Sequence, residues 1–161
     1  MWIGIDIIEK MIAWGRQTRK HNRHILLFAL TYIFTLRLPS EALPMRGSSS
    51  RGCDGQSVLT CEESQIILRL RRRKNRPFGG TMARTCWCTS SPSTCPVHIV
   101  GKAVTKFGAD SALFSGITPR SALLALRGIL SELGVAHAEQ YRTHDPRRGH
   151  ARDLQKNGVL H

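Results

Sequence analysis

Acidic residues are scarce in this chain, and that scarcity narrows its partners first. Eleven Asp and Glu stand against 24 Lys and Arg in 161 residues, giving a net charge of +13 and a pI near 10.6. Such an excess favours a polyanionic partner, with nucleic acid ahead of a membrane surface or an acidic protein. Long apolar runs are lacking too: the stretch from Ile25 to Leu36 covers only 12 residues, too few to span a bilayer and right for a buried helix. The N-terminus has no basic flank before its isoleucines, and Asp6 and Glu9 interrupt them, so no secretory signal is expected. Gly-x-Gly-x-x-Gly and Walker-type loops are absent, which argues against nucleotide binding. Internal repeats and long low-complexity tracts are absent as well. The expected location is therefore nuclear in a eukaryote and cytoplasmic otherwise, with no membrane partner.

What is present suits one folded unit. A hydrophobic content of 41% is ordinary for a globular domain, and residues 1–161 are expected to form a single one. From Trp2 to Trp14, Ile3, Ile7 and Met11 recur at helical spacing beside Ile5, Ile8 and Ile12. Arg16 to Arg23 follows as a basic connector, either solvated or touching nucleic acid. A second helix, Asn22 to about Leu36, is apolar nearly all round and belongs at the centre of the core. Ile66, Leu68 and Leu70 alternate with Ile67, Arg69 and Arg71, a strand pattern whose partner strand is expected over Thr81 to Trp87. Thr118-Pro119 opens a helix striped by Leu123, Leu126, Leu130 and Leu133, which Gly134 ends. The last helix starts at Asp145-Pro146, with Asp145 as its N-cap and Gly158 placed to stop it. The fold class expected is mainly α with a small antiparallel β-hairpin or sheet, that is, α+β.

Five cysteines, an odd number without a secretory context, speak for free thiols or metal ligands. Cys86-x-Cys88, Cys95 and His98 offer three sulfurs and an imidazole that could close a tetrahedral zinc site. Four protein ligands would leave no open position, so the zinc would be structural; the alternative is that Cys95-Pro96 is plain core at a helix head.

His144-Asp-Pro-Arg147 places a histidine and an arginine at the positive end of a helix, where free N–H groups and cations can hold a phosphate. This His-x-x-Arg pair resembles the second signature of the tyrosine recombinase (phage integrase) family. Leu36-Arg-Leu-Pro-Ser-Glu-Ala-Leu43 resembles the first, an arginine after a buried helix trailed by Ser-Glu and an apolar residue. The order of elements is also the family's, and the resemblance spans about residues 20–158; Leu36 to Met45 and Arg142 to Leu154 look similar to integrase-like proteins of fungal genomes.

The resemblance implies a partial recombinase catalytic domain acting on double-stranded DNA, with a homo-oligomer on DNA as the family's habit. Arg37 and Arg147 would clamp the phosphate oxygens with forked, permanently charged donors. His144 would donate to the phosphate or assist proton transfer, and Lys74, in the hairpin turn, would protonate the departing 5′ oxygen. Arg71, Arg72, Arg73, Arg76 and Arg148 would grip the DNA backbone. Glu41, four positions after Arg37 where the family has three, would buttress that arginine. The family's tyrosine nucleophile lies downstream of His-x-x-Arg, whereas this chain ends 14 residues past Arg147 and holds only Tyr32 and Tyr141. DNA strand breaking and rejoining is thus the family's activity, with this chain expected to lack it. An alternative reading is a zinc-stabilised basic DNA-binding or interaction module without recombinase chemistry.

Overall fold

The computed structural model describes residues 1–47, 58–62, 65–70, 80–86, 88, 92–107 and 111–156. The chain runs α1 (Ile5–Thr18), α2 (Asn22–Phe34), a π turn over Leu38–Ala42, and strands β1 (Arg46–Gly47), β2 (Val58–Glu62), β3 (Gln65–Leu70) and β4 (Gly80–Thr85). Then come α3 (Pro96–Phe107), β5 (Ser111–Ala112), α4 (Pro119–Glu132), a 3₁₀ turn over Ala138–Gln140, and α5 (Asp145–Lys156). This is a mixed α+β fold, helices around a small sheet.

Helix α2 is the axis of the molecule. Every residue from Ile25 to Phe34 is buried, as its apolar surround requires, and α1, α3, α4, α5 and β4 all pack on it. Helix α1 starts later and ends later than its apolar periodicity suggests. Residues 1–4 stay extended, with Ile3 fully buried and its N–H donating to the Asp145 carbonyl (3.0 Å). At the other end the helix continues to Thr18, and the connector shrinks to residues 19–21, where Arg19 and His21 adopt positive φ. Basic residues counted there as loop are good helix formers, which is why the connector was overdrawn. Two of them serve the fold: Arg16 donates to the Ser93 carbonyl (3.0 Å), and Arg23 to those of Ser115 (2.6 Å) and Leu113 (3.2 Å).

The sheet order is β4-β3-β2-β1-β5. β2, β3 and β4 are antiparallel, with Ile66↔Arg84 and Leu70↔Gly80 in register across the hairpin, as the alternation in β3 predicts. The two-residue β1 joins β2 in parallel, which extends the antiparallel sheet into a mixed one. Helix α4 opens with Thr118 and Ser121 capping each other's backbone N–H groups, each at 3.0 Å. Its buried stripe is Ala122, Ala125, Leu126, Ile129 and Leu130, and Gly134 ends it at φ 73°. The leucine-only stripe is corrected accordingly: Leu126 and Leu130 are buried, Leu123 and Leu133 are only half-buried, and Ala122, Ala125 and Ile129 complete the buried face.

Candidate functional site

Arg37 enters the site from the end of α2. It is half-buried and caps the π turn, in which the N–H of Ala42 reaches the Arg37 carbonyl (3.0 Å) and that of Leu43 the Leu38 carbonyl (3.0 Å). A π turn is one residue wider than an α turn, and within it Glu41 stays close to the Arg37 backbone. Buried Glu41 folds back so that its Oε2 accepts the Arg37 backbone N–H at 2.7 Å. The carboxylate thus fixes the arginine's backbone.

His144 and Arg147 come from the start of α5, and the loop before them is held at three points. Arg127 of α4 donates from Nε to the Tyr141 carbonyl (3.0 Å), the Arg142 N–H donates to the Asp145 carboxylate (2.7 Å), and Ile3 donates to the Asp145 carbonyl. Asp145 was expected to cap forward onto the helix. Instead the helix already includes it, and its buried carboxylate looks back to Arg142 while lying 3.8 Å from exposed Arg148. The backward bond closes the turn that presents His144.

His144 senses its company. Its pKa is lowered by burial, then by Arg147 and Arg148, with Asp145 opposing and Arg37 adding a further lowering. Arg37 and the His144–Arg148 segment, far apart in sequence, therefore meet within electrostatic reach. Lys74, Arg71, Arg72, Arg73 and Arg76 lie outside the described residues.

Behind this cationic cluster sits a polar knot that the sequence did not signal. Asp153 Oδ2 accepts the N–H of Ile5 (2.9 Å), at the start of α1, and the hydroxyl of Tyr32 (2.6 Å), in α2. Burial and this bond push the Tyr32 hydroxyl well above its ordinary range. His150 is buried edge-on to Tyr32, ring centroids 4.8 Å apart, with its Nδ1 unpartnered. Arg84 donates from Nε to the Ile33 carbonyl (2.9 Å) and stacks over Phe34. An acid at the fifth residue past Arg148 on an otherwise basic helix was the one available hint of Asp153.

A second group forms where β4 meets α3. Cys86, at the end of β4, Cys88, Cys95 just before Pro96, and His98 in the first turn of α3 bring their ligand atoms within 4.8 Å of one another. Cys86 Sγ lies 3.6 Å from Cys95 Sγ, and Cys88 Sγ 3.2 Å from His98 Nδ1. A tetrahedral zinc with Zn–S bonds of about 2.3 Å sets neighbouring sulfurs roughly 3.8 Å apart, so the donor set fits such an ion. The Cys88 N–H donates to Cys86 Sγ (3.1 Å), as suits a sulfur carrying negative charge. Burial would raise the Cys86 pKa, but bonds from Cys88 and Cys95 outweigh it and lower it; Cys88 is pushed up to about 12 by burial and by Cys86 and Cys95. A cleft of about 820 Å³ opens beside the cluster, with Cys61, Cys86, His98 and Lys102 in its wall.

Comparison with protein-family models, curated proteins and solved structures finds no match for this chain. No described helix is long and apolar enough to cross a membrane.

Proposed function

We propose that this chain is a tyrosine-recombinase-like DNA-binding protein of DNA integration and recombination, which grips a phosphodiester without cutting it. The observation that carries the reading is that Arg37, 107 residues earlier in the chain, lies near enough to His144 to help lower its pKa, as Arg147 and Arg148 do more strongly. Two guanidinium forks and an imidazole at a helix N-terminus suit the non-bridging oxygens of one phosphate. Lys74, by resemblance, adds the proton donor for a leaving 5′ oxygen. Neither Tyr32 nor Tyr141 is presented to attack phosphorus in line. Tyr32 is buried with its hydroxyl bonded to Asp153, and Tyr141 is buried three residues before His144.

Double-stranded DNA is the partner, held mainly through phosphates, so affinity falls steeply with salt and varies little with sequence. Filter binding across a salt series tests this. Arg37→Ala and Arg147→Ala each weaken binding on every sequence and reduce the salt slope by about one phosphate's worth. Binding indifferent to salt overturns the DNA reading, and salt-sensitive binding indifferent to both substitutions overturns the Arg37–Arg147 phosphate site. A suicide substrate yields no covalent adduct; a protein-linked DNA band overturns the non-cutting half.

The thiol–imidazole cluster we read as a structural zinc site, with Cys86, Cys88, Cys95 and His98 filling all four positions. When bound, zinc supplies a cross-link between β4 and α3 and no chemistry on DNA. This cluster favours the second reading, a zinc-stabilised basic DNA-binding or interaction module without recombinase chemistry. Loss of DNA binding in Cys86→Ser, with Arg37→Ala and Arg147→Ala unchanged, decides for it.

A further inference from the structure

We propose that the thiol–imidazole cluster has two mutually exclusive occupants: one thiophilic divalent ion, bound by Cys86 Sγ, Cys88 Sγ, Cys95 Sγ and His98 Nδ1, or a disulfide between Cys86 and Cys95. The proposal rests on the zinc reading and adds a modification site to it. The pairing follows from position. Cys86 and Cys95, nine residues apart, hold their sulfurs at 3.6 Å, whereas the Cys88 sulfur, within 4.8 Å of both, also pairs with His98 Nδ1 at 3.2 Å. Cys61, exposed on β2, faces the bare backbone of Gly101 in α3.

A disulfide needs the two sulfurs at about 2.05 Å, an approach of roughly 1.5 Å from the 3.6 Å at which they stand. It would tie the same two elements as the metal does, the end of β4 and the head of α3. Both sulfurs would then be spent, leaving Cys88 and His98 as two ligands where a closed tetrahedral site needs four. The balance is that of thiol–disulfide exchange with a small disulfide such as oxidised glutathione. Half-buried Cys86, on the cleft wall, attacks as thiolate, forms a mixed disulfide and expels one glutathione thiolate. Cys95, as thiolate, attacks the Cys86 sulfur and expels the second. Two protein thiols lose two protons and two electrons, and the glutathione disulfide gains them. A bound metal ion occupies the sulfur lone pairs that both attacks require.

The test uses the full chain, reduced and freed of metal under nitrogen. In its first arm Co²⁺ is added, and one equivalent is taken up with thiolate-to-cobalt charge-transfer absorption and tetrahedral ligand-field bands. Absence of both refutes the zinc reading itself. In the second arm oxidised glutathione is added with and without prior zinc, and the disulfides are mapped on peptides. The metal-free chain yields the Cys86–Cys95 link, zinc slows its formation at least about tenfold, and the oxidised chain takes up no Co²⁺ until reduced. A link through Cys61 or Cys88 overturns the proposal, as does a rate that zinc leaves unchanged. Cys88→Ser and His98→Ala weaken Co²⁺ binding by at least about 100-fold yet still form the link. If both variants lose the disulfide together with the metal, the assignment of the pair fails.

Discussion

His150 is the residue whose environment most nearly contradicts its chemistry. It is 5% exposed, its Nδ1 has no partner, and its pKa is lowered to about 4 by burial first and then by Arg84, with Asp153 opposing. An unfolded histidine titrates near 6.5, so on acidification the unfolded chain takes up the proton first. The stability that neutral His150 contributes is complete above about pH 6.5 and is lost as pH falls through about 4. His150→Phe keeps a ring against Tyr32 and removes both the titration and the orphaned nitrogen. Melting temperature should therefore fall less between pH 7 and pH 4 in the variant than in the parent, and at pH 7 the variant should be at least as stable. Parallel melting curves for the two proteins would show that His150 does not carry this dependence. His144 differs in degree: its side chain is more exposed, and its pKa is lowered by burial first and then by Arg147 and Arg148, with Asp145 opposing. A bound phosphate would reverse the sign of that field.

Between elements, α5 comes close to the extended residues 1–4. A Cβ on Gly149 would overlap the Ile3 carbonyl, which is backbone and cannot swing aside. Gly149→Ala should cost about 3 kcal/mol in urea unfolding, the upper end for overpacking, and should loosen the Asp145 turn that presents His144. An unchanged midpoint would mean that α5 docks differently. The elements themselves were largely legible, because each is written in consecutive residues. The alternation of Ile66, Leu68 and Leu70 and the Thr118–Pro119 start need no distant information. Element ends were less so: α1 was drawn too early because Ile3 is apolar for a tertiary reason, its burial beside α5, and the helix was closed too soon at Trp14. Asp153, which joins three helices through one carboxylate, could not be seen without knowing which helices touch.

At the scale of the whole molecule, the sheet and the helices are held together through α3, which packs on α2 and on β2 and β3. A metal at the head of α3 would stabilise that seam. At a free concentration one hundred times its dissociation constant, a ligand contributes about 2.7 kcal/mol, or roughly 5–10 °C of melting temperature in a chain of this size. A chelator should lower the melting temperature by that amount and Zn²⁺, rather than Mg²⁺, should restore it. Calorimetry indifferent to chelation would remove zinc from the fold's supports.

The sequence by itself determined the charge, the helix and strand periods, the Thr118 cap and the identity of the chemical groups, since these depend on composition and near neighbours. Only the tertiary structure decided that Arg37 reaches the field of His144, that the sulfurs of Cys86 and Cys95 touch, and that Asp153 rather than a solvated loop receives Tyr32. Those meetings depend on how helices and strands cross, and the crossings are set by packed surfaces contributed from all along the chain.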